Sequence, residues 1–240
     1  MPRLEGCGLS DRGQVRQNNE DRWRIDWDLG VAIVADGMGG AACGEVAAEL
    51  TLETVIAHLH AAAEEDPLQA VQDAIRAAHA RVQEEARERT GCGGMGSTIV
   101  LALWRLPRVI IANVGDSRAY HWRASELAQW SRDQTLVNEL RANLGLSDEQ
   151  LGHYAHRNIL TMAIGGRREL AIHTRDETLA PGDRLLLCSD GLYAPVGAAW
   201  ISSILAEPTT PTEQVEKLVD VANTAGGADN ITAVLLRYGE

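Results

Sequence analysis

Five aspartates stand in turns that follow or separate short apolar runs of this sequence. They are Asp21, Asp36, Asp116, Asp190 and Asp229. Most lie beside Gly, Ser or Asn, as in the strings DGMGG at 36–40 and SDG at 189–191. One aspartate in such a turn is best explained as a turn or cap residue. Five of them predict a shared acidic site, provided that the turns meet at one edge of a sheet.

Carboxylates that lie close together in a low-dielectric site repel one another, so this site requires a neutralising cation. The neighbouring donors are oxygen atoms, a set that favours Mg²⁺ or Mn²⁺ over Zn²⁺ or Cu²⁺. Two such ions sharing a carboxylate could activate water for in-line attack on phosphorus. Arg16, in the string SDRGQVRQNNED, is the candidate cation for phosphate oxygens, and Arg118 is the alternative.

Apolar runs, most of them rich in β-branched residues, predict the strands that carry these turns. The predicted strands cover 30–35, 97–104, 109–114, 117–123, 126–131, 170–178, 184–188 and 231–238.

Three helices are predicted from apolar stripes and capping residues. The first contains an i, i+3, i+4, i+7 stripe over 52–59. The second begins after Asp66 as N-cap and ends by Gly91, and the last begins at Thr210 with Glu213 closing a capping box. Consecutive strands, with the helices grouped apart from them, favour an α+β layered sandwich over alternating βαβ units.

Composition excludes several classes of protein. The chain has 240 residues and a net charge of −12, which disfavours sequence-nonspecific binding to nucleic acid. No apolar run reaches the roughly 18 residues that a membrane helix needs, and the N-terminus lacks the apolar core of a signal peptide. The four cysteines fit neither a zinc site nor a redox pair, so free thiols and a cytoplasmic location are expected.

Seven strings spread over nearly the whole chain resemble, in order and spacing, those of the metal-dependent Ser/Thr protein phosphatases, the PPM or type 2C family, in their bacterial form. The strings are SDRGQVRQNNED, VADGMGG, MGSTIV, ANVGDSRAY, RNILTMAIGG, CSDGLY and GGADNITAVLL. The resemblance implies a central antiparallel β-sandwich flanked by helices, in four layers α-β-β-α. It also implies that residues 1–240 form a single catalytic domain with a binuclear Mg or Mn centre.

The resemblance further implies a role for each site residue. The metal-binding set is Glu20, Asp21, Asp36, Gly37, Asp116, Asp190 and Asp229. In this set Asp36 would bridge the two ions, Glu20 or Asp21 would act through bound water, and Asp116 with Asp190 would hold a third, weaker ion. Arg16 would hold the substrate phosphate.

The sequence departs from the family pattern at two positions. Ala41 stands where many relatives carry a histidine proposed to protonate the leaving alkoxide, and Gln134 stands where relatives often have histidine. Losing a general acid could slow the release of a serine alkoxide by ~10²-fold. Residues 134–158 resemble the family's mobile flap, and we expect its His153 and His156 to be solvated.

The function predicted from these observations is hydrolysis of phosphoserine and phosphothreonine in proteins by metal-activated water. The substrates would be phosphoproteins made by a Ser/Thr kinase, and the enzyme would act as a monomer without a nucleic-acid or membrane partner. The alternative is a phosphoprotein-binding regulatory module with little turnover, which Ala41 supports. The number of carboxylates argues against that alternative, because a decayed site has little reason to keep so many costly charges.

Overall fold

The computed structural model describes residues 4–39, 43–63, 65–145 and 159–239. The strands of this part of the chain are β1 Leu4–Asp11, β2 Asp21–Asp26, β3 Val31–Met38, β4 Gly96–Ser97, β5 Ile99–Arg105, β6 Arg108–Val114, β7 Arg118–Arg123, β8 Glu126–Gln129, β9 His173–Thr178, β10 Arg184–Cys188 and β11 Ile231–Tyr238. The helices are α1 Cys43–Ala61, α2 Pro67–Glu88, α3 Leu136–Leu144, α4 Asp190–Ala206 and α5 Pro211–Thr224.

Two antiparallel sheets form the centre of the molecule. One has the strand order β1-β11-β10-β7-β8, and the other has the order β2-β3-β5-β6-β9 with β4 paired to β3. A buried layer between the sheets includes Ala32 and Val34 of β3, which meet Leu185 and Leu187 of β10 in one cluster. The predicted antiparallel sandwich is therefore confirmed.

The outer faces of both sheets are covered by helices. Helices α1 and α2 cover the β3 face through residues such as Val55 and Ile75, which share a cluster with Ile33. Helices α4 and α5 cover the other sheet, where Leu218 of α5 packs in a cluster with Leu235 of β11. Alternate residues of the central strands thus face opposite layers, and nearly all of them are apolar because both faces are buried. The arrangement has the predicted four layers.

Some elements of the fold are not among those predicted from the sequence. Strand β1 contains Gly6 and Gly8, which have low strand propensity. A Cβ atom at Gly8 would lie 2.5 Å from the ring of Trp23, so glycine there allows the β2 tryptophan to approach closely. Helix α4 contains Pro195 and a non-helical Gly197, which give its sequence the composition of a turn. Strand β2 was also missed.

Two predicted strands are shorter in the structure. The predicted strand 126–131 ends at Gln129, and the predicted strand 170–178 begins only at His173. Beyond Gln129 the Trp130 amide still donates to the Ala119 carbonyl, at 2.8 Å.

Among the described residues, no helix combines the length and the apolar character that crossing a bilayer requires.

The prediction of four free thiols is wrong for two of the cysteines. Cys43, the first residue of α1, forms a disulfide with Cys92, which follows α2. Packing of the two helices brings the Cα atoms within 5.6 Å, a separation that a disulfide spans. Sequence spacing could not reveal the pair because the proximity arises from tertiary packing. Cys7 and Cys188 are free, and Cys188 is buried.

Candidate active site

A polar cleft of about 290 Å³ lies where turns from both sheets meet. Its described lining is Arg16, Glu20, Asp36, Gly37, Met38, Gly39, Thr98, Asp116, Leu160, Asp190, Asp229 and Asn230. Seven of the eight site residues predicted from the sequence are therefore brought together in one cleft. The eighth, Asp21, is not part of the lining.

Asp36 stands near the end of β3, opposite Asp21 of β2 in the strand register. Its amide donates to the Oγ1 atom of Thr98 at 3.0 Å, and its carbonyl accepts from the Thr98 amide at 2.8 Å. Thr98 is 1% exposed, and its hydroxyl also bonds Ser117 at 2.7 Å. The backbone that presents Asp36 is thus fixed on a rigid, buried strand.

Gly37 lies in a gap that excludes any side chain. A Cβ atom there would lie 2.0 Å from the carbonyl oxygen of Gly44 in α1 and 2.8 Å from that of Glu20. The Gly37 amide donates to the same Glu20 carbonyl at 3.2 Å. Glycine is required at this position because the first turn of α1 and the end of the 14–20 loop both approach the β3 backbone.

Asp21 lies buried next to the cleft, with only 2% of its surface exposed. Its Oδ2 atom accepts hydrogen bonds from the hydroxyls of Ser189 and Thr232, each at 2.7 Å. Its Oδ1 atom is buried and has no hydrogen-bond partner in the structure. A buried carboxylate oxygen without a donor is costly, and a nearby cation or a water held by one would satisfy it.

Asn230 holds together the loop that carries Glu20. Its Oδ1 atom accepts from the Glu20 amide at 2.8 Å, and its Nδ2 donates to the carbonyls of Arg12 and Asn18, each at 2.9 Å. Its own amide donates to Oδ1 of Asp229 at 2.8 Å. One amide side chain therefore connects the Arg16 loop to the Asp229 turn.

Arg16 and Arg118, the two candidate phosphate-binding cations, lie in different environments. Arg16 is about half exposed, lines the cleft and donates to Oδ2 of Asp229 at 2.7 Å. Arg118 forms a fork with Asp133, donates to the Tyr120 hydroxyl at 2.7 Å and stacks 3.6 Å from the centre of the Tyr193 ring. Because protein groups occupy the Arg118 guanidinium, Arg16 is the cation available to a ligand.

The acidic side chains of the site perturb one another. Burial, followed by repulsion from Asp21, Asp190 and other carboxylates, raises the pKa of Asp36 well above its usual value. Burial and repulsion from Asp190 and Asp133 raise the pKa of Asp116 to about 7. The pKa of Asp21 rises to about 6, chiefly by burial, although hydrogen bonds from Thr232 and Ser189 oppose the shift.

The donor set fits hard divalent ions, although the carboxylates do not form a closed cage. In the described part of the chain, no three acidic, His or Cys side chains converge into a ready ligand group. Such a site suits Mg²⁺ or Mn²⁺, since Mg²⁺ is usually held by one or two carboxylates and several waters. The unpartnered Asp21 oxygen and the mutual repulsion of the aspartates both indicate a need for positive charge.

Two features of the sequence analysis lie partly or wholly outside the described residues. Ala41, His153 and His156 lie outside the described residues. The structure therefore does not describe the surroundings of the position where relatives carry the histidine. Of the predicted flap at 134–158, the structure describes residues 134–145, most of which form α3. Gln134, for which the sequence suggested no role, bonds the turn before Asp116: its Oε1 accepts from the Gly115 amide at 2.7 Å.

Comparison with known proteins identifies the family. The sequence profile described as Protein phosphatase 2C matches residues 8–235. The chain belongs to the protein phosphatase 2C family. A serine/threonine phosphatase, stp, of Listeria innocua is 34% identical over 237 residues, which cover 95% of this chain and 93% of that protein.

Solved structures of this family have the same fold. The serine/threonine phosphatase PstP/Ppp of Mycobacterium tuberculosis superposes with a TM-score of 0.91 at 32% identity, covering 100% of both chains. A structure of the PstP catalytic domain in complex with two manganese ions gives a TM-score of 0.84 at 33% identity, covering 99% of both chains. These likenesses confirm the family resemblance and the α+β fold class predicted from the sequence motifs.

Proposed function

We infer that this protein is a metal-dependent protein phosphatase that hydrolyses phosphoserine and phosphothreonine in other proteins. The observation that carries the inference is the cleft itself, where Asp36, Asp116, Asp190 and Asp229 lie beside a cleft-facing arginine. Membership of the protein phosphatase 2C family and the names of the relatives support this reaction.

The residues of the cleft suit two Mg²⁺ or Mn²⁺ ions. Asp36, Asp190, Asp229 and the Gly37 carbonyl are the proposed ligands, and Glu20 or Asp21 would act through water. Asp116 with Asp190 would hold a third, weaker ion. When bound, ions of this kind lower the pKa of water and neutralise charge on a phosphoryl group. The two manganese ions in the PstP catalytic domain support this proposal.

Arg16 would orient the phosphate group of the substrate. Its guanidinium presents a planar fork that matches two phosphoryl oxygens, and half of its surface is exposed to an incoming ligand. The contact with Asp229 restrains the side chain at the edge of the cleft. Asn230 would maintain the relative positions of the Arg16 loop and the Asp229 turn, since its side chain bonds the loop and its backbone amide bonds Asp229.

Protonation of the departing serine or threonine oxygen is assigned to water. The described residues that line the cleft include no histidine, and the family position for that acid holds Ala41. A substrate with a better leaving group depends less on a general acid. We therefore expect an aryl phosphate to be hydrolysed faster than a phosphothreonine peptide.

The cellular setting and assembly complete the proposal. Residues 1–240 would form one catalytic domain that acts as a cytoplasmic monomer on the products of a Ser/Thr kinase. The two packed sheets, which both contribute residues to one cleft, support a single domain. The disulfide between Cys43 and Cys92 removes one of the reasons for expecting a cytoplasmic location, because such bonds are rare in reducing compartments.

The deciding experiment measures phosphate release from a phosphothreonine peptide with Mn²⁺ and with EDTA. Asp36→Asn should reduce kcat by at least ~10³-fold, because the central carboxylate of the site is lost. Asp220→Asn is the matched control, since Asp220 is exposed on α5, and it should keep wild-type activity.

Two other results would contradict the proposed function. Release that persists in EDTA, or in Asp36→Asn, would overturn the proposed mechanism. Binding of Mn²⁺ and of the phosphopeptide without turnover of either peptide or aryl phosphate would instead favour the phosphoprotein-binding module.

A further inference from the structure

Gln134 makes four hydrogen bonds that join three separate segments. Its Oε1 accepts from the Gly115 amide at 2.7 Å, and its own amide donates to the Gly115 carbonyl at 3.0 Å. Its Nε2 donates to the Ala171 carbonyl at 2.7 Å, and its carbonyl accepts from the Thr161 amide at 2.9 Å. One residue therefore ties the turn before Asp116 to both ends of the segment 161–171.

The Asp116 turn depends on such backbone contacts for its position. No side chain of the described residues donates a hydrogen bond to the Asp116 carboxylate, although the residue as a whole is only 6% exposed. The residue before it, Gly115, has a φ of +96°, and a Cβ there would lie 2.7 Å from the Thr98 side chain. The direction of the carboxylate is thus set by the backbone of residues 115–117, which Gln134 holds at the N–H and the carbonyl of Gly115. The same turn is also held by Asn113, which donates to the Gly115 carbonyl at 3.3 Å, and by the bond between Ser117 and Thr98.

Gln134 also lies next to α3, which is part of the predicted flap at 134–158. Gln134 directly precedes Thr135, the N-cap of α3, and it lines a cavity of about 330 Å³ together with residues of α3 and of 161–173. The segment it bonds also contributes to the cleft, because Leu160, beside Thr161, is a lining residue. Gln134 therefore contacts the Asp116 turn and the 160–171 segment and lies next to the first residue of α3.

We propose that Gln134 is a positioning residue that holds the Asp116 carboxylate at the cleft and links it to the base of the flap. This inference rests on the proposed function, in which Asp116 helps to bind a third ion. Loss of the side-chain bond to the Gly115 amide would let the 115–117 turn move, although the backbone bond from Gln134 to the Gly115 carbonyl would remain. The weakest metal site would then lose affinity before the others. The residue has no contact with substrate and acts through the backbone of Gly115.

The first test compares Gln134→Met with Gln83→Met. Methionine has nearly the same length as glutamine but cannot form the side-chain hydrogen bonds. Gln83 is the matched control because its Nε2 donates at 2.7 Å to the carbonyl of Gly166, in the same 161–171 segment, yet it does not contact Gly115. Calorimetric titration of the metal-free proteins with Mn²⁺ should show the weakest site losing affinity roughly 10-fold in Gln134→Met alone.

A second readout does not involve metal. Amide hydrogen exchange of metal-free protein should be faster at Gly115 in Gln134→Met and unchanged there in Gln83→Met. Exchange at Gly115 that is no faster in Gln134→Met than in the wild type would overturn the proposal; if Gln134→Met does not fold, Gln134→Leu, which also lacks the side-chain acceptor, takes its place.

A double-mutant cycle with Asp116→Asn separates positioning from a general loss of structure. If Gln134 acts through Asp116, Gln134→Met should not weaken Mn²⁺ binding further once Asp116 is asparagine. An equal loss in both backgrounds would refute the link. Neither Mn²⁺ binding nor hydrogen exchange needs substrate. A wild-type protein that fails to hydrolyse the phosphopeptide would therefore contradict the proposed function without changing the outcome of this test.

Discussion

At the scale of single residues, the carboxylates around Asp36 give the site its chemistry and also its instability without a cation. Burial and mutual repulsion raise the pKa values of Asp21, Asp36, Asp116 and Asp190. A carboxyl group whose pKa is higher in the folded state binds protons that the unfolded chain has already released. Stability therefore falls as pH rises between the unfolded and folded pKa values.

This sign gives a pH prediction for the protein in EDTA. The Asp116 carboxyl titrates near 3.8 when unfolded and at about 7 when folded, so its unfavourable contribution is absent below pH 4 and complete above pH 7. Thermal unfolding should show Tm falling by several degrees from pH 5 to pH 8. Asp116→Asn should flatten this slope, Asp220→Asn should leave it unchanged, and saturating Mn²⁺ should raise Tm most at pH 8. A wild-type Tm that rises over this range in EDTA would contradict the electrostatic account.

Single residues also mark the limit of what the sequence could predict. Asp36 and Asp190 could be found because each lies at the end of an apolar run and directly precedes a glycine, although Asp36 lies within β3 and Asp190 begins α4. The contacts of Asp21 with Ser189 and Thr232 could not, because residues far apart in the chain meet only after the sheet forms. Gln134 stood out only as a departure from the family pattern, and its contacts could not be predicted because they are made with backbone groups of distant segments.

At the scale of elements, strands with continuous apolar runs were predicted well, and elements rich in glycine were not. Strand β3 is buried on both faces and reads as an unbroken apolar segment. Strand β1 contains two glycines because Trp23 and the β11 backbone approach it closely, and this packing is invisible in a local pattern. The same applies to α1 and α2, whose stripes were visible but whose covalent link was not.

That link gives a prediction about stability. The disulfide closes a loop across 49 residues of sequence, so it restricts the unfolded chain strongly. Cys92→Ser should lower the free energy of unfolding by about 2–4 kcal/mol. Reducing the wild-type protein should cause a similar loss, and a reductant should have no further effect on Cys92→Ser. Cys7→Ser, which alters a free thiol on β1, is the control. Denaturant unfolding that is identical with and without reductant would show that the bond does not stabilise the native state.

At the scale of the whole molecule, the sandwich collects carboxylates from four turns and the 14–20 loop at one edge, while the chain carries a net charge of −12. Divalent ions in the cleft would offset the local acids and leave the charge of the remaining surface in place. A peptide approaching the cleft therefore encounters a negative field at long range. The local positive charge acts on the phosphate only once the peptide is close, because salt screens exposed charges beyond about 10 Å at 0.1 M.

The charge of the peptide around its phosphothreonine should therefore control binding more than chemistry. With Mn²⁺ at low salt, a peptide with arginines on both sides should have a KM roughly 10-fold lower than one with glutamates, and a serine-flanked peptide should fall between them. The kcat values should agree within about 3-fold, because the flanking charges change encounter and affinity rather than the reacting groups. Raising the ionic strength should bring the three KM values together, since the field is screened. A preference for the glutamate peptide, or a KM difference that salt does not reduce, would mean that specific contacts in the flap region outweigh the net charge of the molecule.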